Sequence, residues 1–143
     1  MYQPPFTPGQ IVTNKQIMAN FRCACEGGIR PANATNSVVL VLNHTKINHA
    51  DDWHGSVLWF RGSGAKGDQT IDKGRNKTLL NAFHSDRPVY LFEVSTPGEY
   101  TFRGRVELAD VPFQQPSQGR MVWIFPIRLA QPGQAAEDSC GQS

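Results

Sequence analysis

Five stretches of the chain have strand character and two have helical spacing. Residues 37–44, SVVLVLNH, are an unbroken apolar run rich in valine, which predicts a buried strand. Residues 55–62 (GSVLWFRG) and 87–95 (RPVYLFEVS) are aromatic and β-branched runs bounded by turn formers. In GEYTFRGRVELADV, Tyr100, Phe102, Val106 and Leu108 alternate with polar residues in a two-residue rhythm, and RMVWIFPIRL (120–129) predicts a last strand. Ahead of these, TPGQIVTNKQIMANFRCACEGG opens on a Pro-Gly turn and offers Thr13 as an N-cap with Gln16 three residues later. It sets Val12, Ile17, Met18 and Phe21 on one helical face before Gly27 and Gly28. A shorter helix is predicted in NKTLLNAFHS from the spacing of Leu79, Leu80 and Phe83. The order helix, strand, strand, helix, strand, strand, strand has no βαβ alternation. It predicts an α+β domain, a strongly curved sheet or partly open β-barrel flanked by two or three helices.

Composition narrows this picture. A chain of 143 residues with 39% hydrophobic content builds one domain with a real core. The tail after Ala130, rich in Ala, Gln and Gly, has no apolar periodicity, so residues 1–130 are expected to form the domain and 131–143 a linker to a further C-terminal domain. The net charge is only +2, yet Arg61, Lys66, Lys73, Arg75 and Lys77 face only Asp68 and Asp72 in their segment. Such a basic stretch suits an anionic partner and equally suits a solvated loop. Cys23 and Cys25, spaced C-x-C, and Cys140 fit neither a disulfide framework nor a four-ligand zinc site, and are expected to be reduced thiols. The N-terminus lacks a leader pattern and no window is apolar enough for a membrane span, so a soluble, cytoplasmic protein is expected.

Catalytic signals are weak. His44, His49, His54 and His84 have no metal-ligand spacing, and GSGAKG lacks the spacing of a phosphate-cradling P-loop. No cofactor, no metal and no enzymatic centre are expected in this segment.

The stretches GGIRPANATNSVVLVLN, HADDW, VLWFRGSGAKGDQTIDKGRNKTLL, PVYLFEVSTPGEYTFRGRVELADVPFQ and RMVWIFPIRL, in that order from about Gly9 to Leu129, resemble the SRA domain, the modified-cytosine reader of the PUA-like group. The form they resemble is the bacterial one joined to HNH nucleases in modification-dependent restriction enzymes. The resemblance implies a module that flips a modified cytosine out of double-stranded DNA into a pocket. Its partner would be duplex DNA with 5-methylcytosine or 5-hydroxymethylcytosine, with no membrane, a fused or associated nuclease domain, and room for dimerisation of a longer bacterial protein. The aromatic that stacks on the base corresponds to Phe60 in the triplet Phe60-Arg61-Gly62, and Gly62 and Ser63 would wall the space beside ring carbon 5. His49 takes the place of a second stacking aromatic, Asp51 would accept from the N4 amino group, and Trp53 is counted with the same pocket, although by residue type alone Asp51 and Asp52 read as a turn pair anchored by Trp53. Counting backward from Gly55 or forward from the preceding strand shifts the register by one, so the acceptor is Asp51 or Asp52. Lys66, Gln69, Lys73, Arg75 and Lys77 would meet the DNA backbone.

Three departures from the family pattern bear on specificity. Phenylalanine at 60 and histidine at 49 stand where tyrosines are usual, and Arg61 replaces a small residue, which leaves the preferred mark open. A PUA-like RNA-binding module and a protein-interaction domain are the rival readings, and without the resemblance Trp59 and Phe60 read as packing side chains of one strand.

Overall fold

The computed structural model describes residues 2–45, 52–64 and 67–130, with Asp52 described by its backbone alone. Its elements, in chain order, are β1 (Ile11–Val12), α1 (Asn14–Phe21), β2 (Ile29–Ala32), β3 (Ser37–Asn43), β4 (Asp52–His54), β5 (Val57–Arg61), α2 (Gly74–Phe83), β6 (Val89–Thr96), β7 (Glu99–Leu108), β8 (Phe113–Ser117) and β9 (Arg120–Leu129). A 3₁₀ turn, Asn33–Thr35, joins β2 to β3.

The strands form four hairpins of chain neighbours, β2–β3, β4–β5, β6–β7 and β8–β9, all antiparallel. They join into one sheet in the order β2-β3-β6-β7-β9-β5-β4, with β1 on β7 and β8 on β9. Among the described residues only β3 and β6 run parallel, from Val38↔Val89 to Asn43↔Val94. A parallel pair needs a crossover, and here the crossover contains β4, β5 and α2. The sheet curves but does not close: its path begins at β2 and ends at β4.

Both faces of the middle strands are buried, which explains the unbroken apolar run of β3. Val38, Leu40 and Leu42 join Leu58, Phe60, Leu91, Phe125 and Ile127 in the core inside the curve, covered by Leu79 and Ala82 of α2. Val39 and Val41 point the other way, into a second core with Ile17, Phe21, Tyr90, Phe92 and Phe102, covered by α1. Arg30, also buried, ties β2 to α1: its Nε donates to Gly27 O (2.9 Å) and its Nη1 to Asn14 Oδ1 (2.6 Å). No helix of the described residues is long and apolar enough to cross a membrane.

The helix predicted from Thr13 forms, with both halves of its capping box in place: Gln16 N–H donates to Thr13 Oγ1 (3.1 Å) and Thr13 N–H to Gln16 Oε1 (2.8 Å). Two of its expected core positions move. Val12 is buried from strand β1 rather than from the helix, and Met18 is 37% exposed, because the apolar face is only Ile17 and Phe21 wide. Nine strands replace the expected five. The additional β1, β2, β4 and β8 are two to five residues long, and β2 and β8 contain Pro31 and Pro116, which edge strands tolerate. The stretch 131–143, expected to be a linker, lies outside the described residues.

The two sides of α1 should respond differently to truncation. Ile17→Ala removes a fully buried side chain and should cost about 2–5 kcal/mol, whereas Met18→Ala should stay within about 0.5 kcal/mol, both read from urea unfolding midpoints.

Candidate functional site

A cavity of ≈ 900 Å³ lies between the start of β2 and the end of β5 with the loop that follows it. Gly28 and the first residues of β2 line one side, Phe60, Arg61, Gly62, Ser63 and Gly64 the other, and Gln118 and Arg120 at the turn of the β8–β9 hairpin reach its rim. The period-two rhythm of β5 decides which aromatic faces it. Leu58 and Phe60 point into the curve, and Trp59 points out, stacked on His54 at 4.0 Å and edge-on to Phe113 at 5.0 Å. Phe60 belongs to the core and is 1% exposed, with Gly28 against the tip of its ring. Its face is therefore covered in this conformation.

The glycine-rich loop that follows β5 is held by neutral amides. Gln69 is 5% exposed; its Nε2 donates to Gly62 O (2.8 Å) and Gly64 O (3.1 Å), while its Oε1 accepts from Trp123 N–H (2.9 Å). Asn76 on α2 is 3% exposed; its Oδ1 accepts from Ser63 N–H (2.6 Å), and its Nδ2 donates to Ser63 O (2.9 Å) and Thr70 O (2.7 Å). Arg120 Nη1 donates to Gly64 O (2.7 Å) and Gly67 O (2.9 Å), and Asp68 Oδ1 accepts from Met121 N–H (2.8 Å). Gly62 is glycine for steric reasons: a Cβ there would lie 2.9 Å from Asn76 Oδ1 and 3.0 Å from Gln69 Oε1. Buried amides are stable only when both ends are paired, and these are. The result is a loop of fixed shape that leaves Ser63 exposed at the cavity.

The structure thus brings Phe60, Arg61, Gly62 and Ser63 together on one cavity. Trp53 instead lines a separate cavity of ≈ 540 Å³, where its Nε1–H donates to Glu93 Oε2 (3.2 Å). Gln69, expected on the DNA backbone, lines the first cavity, with both ends of its buried amide engaged by the loop and by Trp123. Lys73 and Lys77 are exposed on α2 and just before it, whereas Arg75 donates from Nη1 to Glu26 O (3.2 Å) beside the cavity. Asp52 pairs with Trp59 in the β4–β5 ladder, and His49, Asp51 and Lys66 lie outside the described residues.

Asn76 and Arg120 escaped the sequence reading. Asn76 precedes Leu79, Leu80 and Phe83 at intervals of three, four and seven, so it sits on the apolar stripe of α2, and a polar residue on such a stripe was the available signal. Arg120 becomes legible only once the hairpin folds it against Gly64. Cys25 is exposed at the rim, while burial pushes the Cys23 thiol up against the opposing pull of Arg30.

No curated protein sequence matches the chain. In fold it is similar to the sulfur binding domain and SRA domain of ScoMcrA complexed with phosphorothioated DNA (TM-score 0.70, 12% identity), covering 86% of this chain and 39% of that one. It is similar to the SUVH5 SRA domain in its complex with methylated CHH DNA (TM-score 0.69, 18% identity), covering 92% and 93%. It is also similar to the DNA modification-dependent restriction endonuclease AspBHI (TM-score 0.60, 13% identity), covering 80% and 37%. The chain therefore spans well under half the length of the ScoMcrA and AspBHI chains it matches and nearly all of the SUVH5 SRA chain. The family model of the ScoMcrA-like SRA domain matches residues 8–126, and the chain belongs to that family.

Proposed function

We propose that this domain binds double-stranded DNA carrying a modified cytosine, 5-methylcytosine or 5-hydroxymethylcytosine, and takes the base out of the helix into the cavity beside the loop that follows β5. The observation that carries the reading is the convergence of Phe60, Arg61, Gly62 and Ser63 on one cavity, in a chain of the SRA family. A flipped cytosine needs a π-face to replace lost stacking, an acceptor for its N4 amino group, and backbone that can come close. Phe60 supplies the first, Asp51 or Asp52 the second, and the braced Gly62–Ser63 loop the third. Because the Phe60 ring is covered, stacking on it follows a shift of the segment around Gly28, so capture is an induced fit. Lys73, Lys77 and Lys66 hold phosphates, and Arg75 joins them when it exchanges Glu26 O for a phosphate.

The segment itself is a reader and not an enzyme. Chains similar to it in fold belong to restriction systems of which it spans well under half, which supports its being the targeting part of a longer cytoplasmic restriction endonuclease with an HNH-type cutting domain. The ScoMcrA-like family match favours a second mark to be tested beside the base modifications, a phosphorothioate in the backbone.

Gel shifts with duplexes containing cytosine, 5-methylcytosine, 5-hydroxymethylcytosine or a phosphorothioate test the reading; equal affinity for all four would overturn it. One buried methyl is worth about 0.8 kcal/mol, so methylated over plain cytosine should differ roughly fourfold unless flipping costs differ too. Phe60→Leu keeps apolar volume in the core but removes the π-face, and should weaken modified-duplex binding roughly ten- to a hundredfold with little change in melting. Asp51→Ala should lower modified-duplex binding and leave unmodified binding steady or slightly raised, and if Asp52→Ala alone does this the register belongs to Asp52. In the same assay log affinity should fall with log salt by about 0.9 per phosphate contact, and Lys73→Ala should flatten that slope by roughly one for every duplex.

A further inference from the structure

Two consecutive residues of α2 hold opposite walls of the cavity. Asn76 is buried and braces the loop after β5. Arg75, one residue earlier, is half-buried and reaches the other wall, where its Nη1 donates to Glu26 O (3.2 Å). Its guanidinium also lies against Gly27, so closely that a Cβ there would collide with Nη1. Glu26, Gly27 and Gly28 all line the cavity, and a Cβ built on Gly28 would stand 3.5 Å from the tip of the Phe60 ring. The irregular stretch that Arg75 grips is therefore the one that covers Phe60.

The other bonds to this stretch are internal to the fold. Arg30 Nε donates to Gly27 O (2.9 Å) and Asn14 Nδ2 to Cys25 O (3.0 Å), and the buried Arg30 is itself bonded to Asn14. Val41 N–H donates to Gly28 O (2.8 Å), one pair beyond Ile29↔Leu40 in the β2–β3 ladder. Arg75 differs from these in being a charged donor spent on a neutral carbonyl within reach of solvent. Hydrogen bonds with both partners ionised are shorter and stronger than those to a neutral acceptor, so a phosphate at this place displaces Glu26 O. A nucleotide whose base enters the cavity carries its own phosphates to the rim where Glu26 lies.

We infer that Arg75 is a positioning residue that couples phosphate contact to base capture. In the free domain it holds Glu26, Gly27 and Gly28 over Phe60; when a DNA phosphate takes its guanidinium, the stretch loosens and the ring becomes available to the base. This rests on the modified-cytosine reading for what enters the cavity. The trigger itself is a phosphate, so duplex without any modified base also loosens the stretch.

Amide hydrogen exchange at Val41 reads the stretch directly, because that N–H is bonded to Gly28 O, and Val39, opposite Arg30 inside the ladder, serves as the reference. In the free domain, losing the Arg75 bond through Arg75→Ala should speed exchange at Val41 roughly tenfold, with Val39 within about twofold and the melting temperature within a few degrees of wild type. Saturating plain duplex should speed Val41 in the wild type by a similar factor and add little in Arg75→Ala. Gel shifts with the same variant should show the salt slope flattened by about one. Unchanged Val41 exchange in free Arg75→Ala, wild-type exchange that duplex leaves unchanged or slows, or an unchanged salt slope would each overturn the inference. The wild-type measurement needs no variant and decides alone should Arg75→Ala fail to fold. If wild type binds every duplex alike, the modified-cytosine reading fails by that result, and Val41 exchange still judges Arg75: acceleration keeps it as the phosphate-released latch, and no acceleration removes it.

Discussion

The parallel pairing of β3 with β6 is the constraint from which the rest of the domain follows. Its six registered pairs bury apolar side chains on both faces, so one core must form on each side. Two strands running the same way cannot be joined by a tight turn, and the connection that returns the chain carries β4, β5 and α2. That excursion carries β5 round to β9, where the sheet curls over its inner core, and leaves the loop after β5 facing the free side of β2. The cavity lies between that loop and the start of β2.

The loop from Gly62 to Gly64 owes most of its form to the amides of Gln69 and Asn76, which are neutral, buried and fully paired. The Arg120 guanidinium adds a grip on Gly64 O and Gly67 O. Lys73 and Lys77, by contrast, are exposed.

Elements with a strong internal signal were legible from the letters alone. The capping box of Thr13 and Gln16, the run of β3 and the alternation of β7 each encode their structure within a dozen residues, and each is found where the pattern placed it. Strands β4 and β8 were not legible, because Asp-Trp-His and Phe-Gln-Gln-Pro-Ser have no apolar rhythm of their own and become strands through pairing with β5 and β9. For the site, contiguity in sequence made Phe60 to Ser63 readable as a unit. The bracing role of Gln69 was not legible, because a glutamine in a basic loop reads as a surface group and only the partners Gly62, Gly64 and Trp123, up to fifty-odd residues away, make it an internal brace.

The division of the sheet into four hairpins has a kinetic side. β2–β3, β4–β5, β6–β7 and β8–β9 each pair chain neighbours, so each can form early and independently. The contacts that join them, Val38↔Val89, Val106↔Leu129 and Leu58↔Ile127, are non-local, as is the pairing of β1 with β7 at Ile11↔Thr101, and such closures slow folding to the millisecond-to-second range typical of non-local β topologies. During synthesis β5 must wait for β9 to leave the ribosome, holding Leu58 and Phe60 without their final partners. The strand that bears the candidate base-stacking ring is among the last to dock, and until it does its apolar face stays open to aggregation.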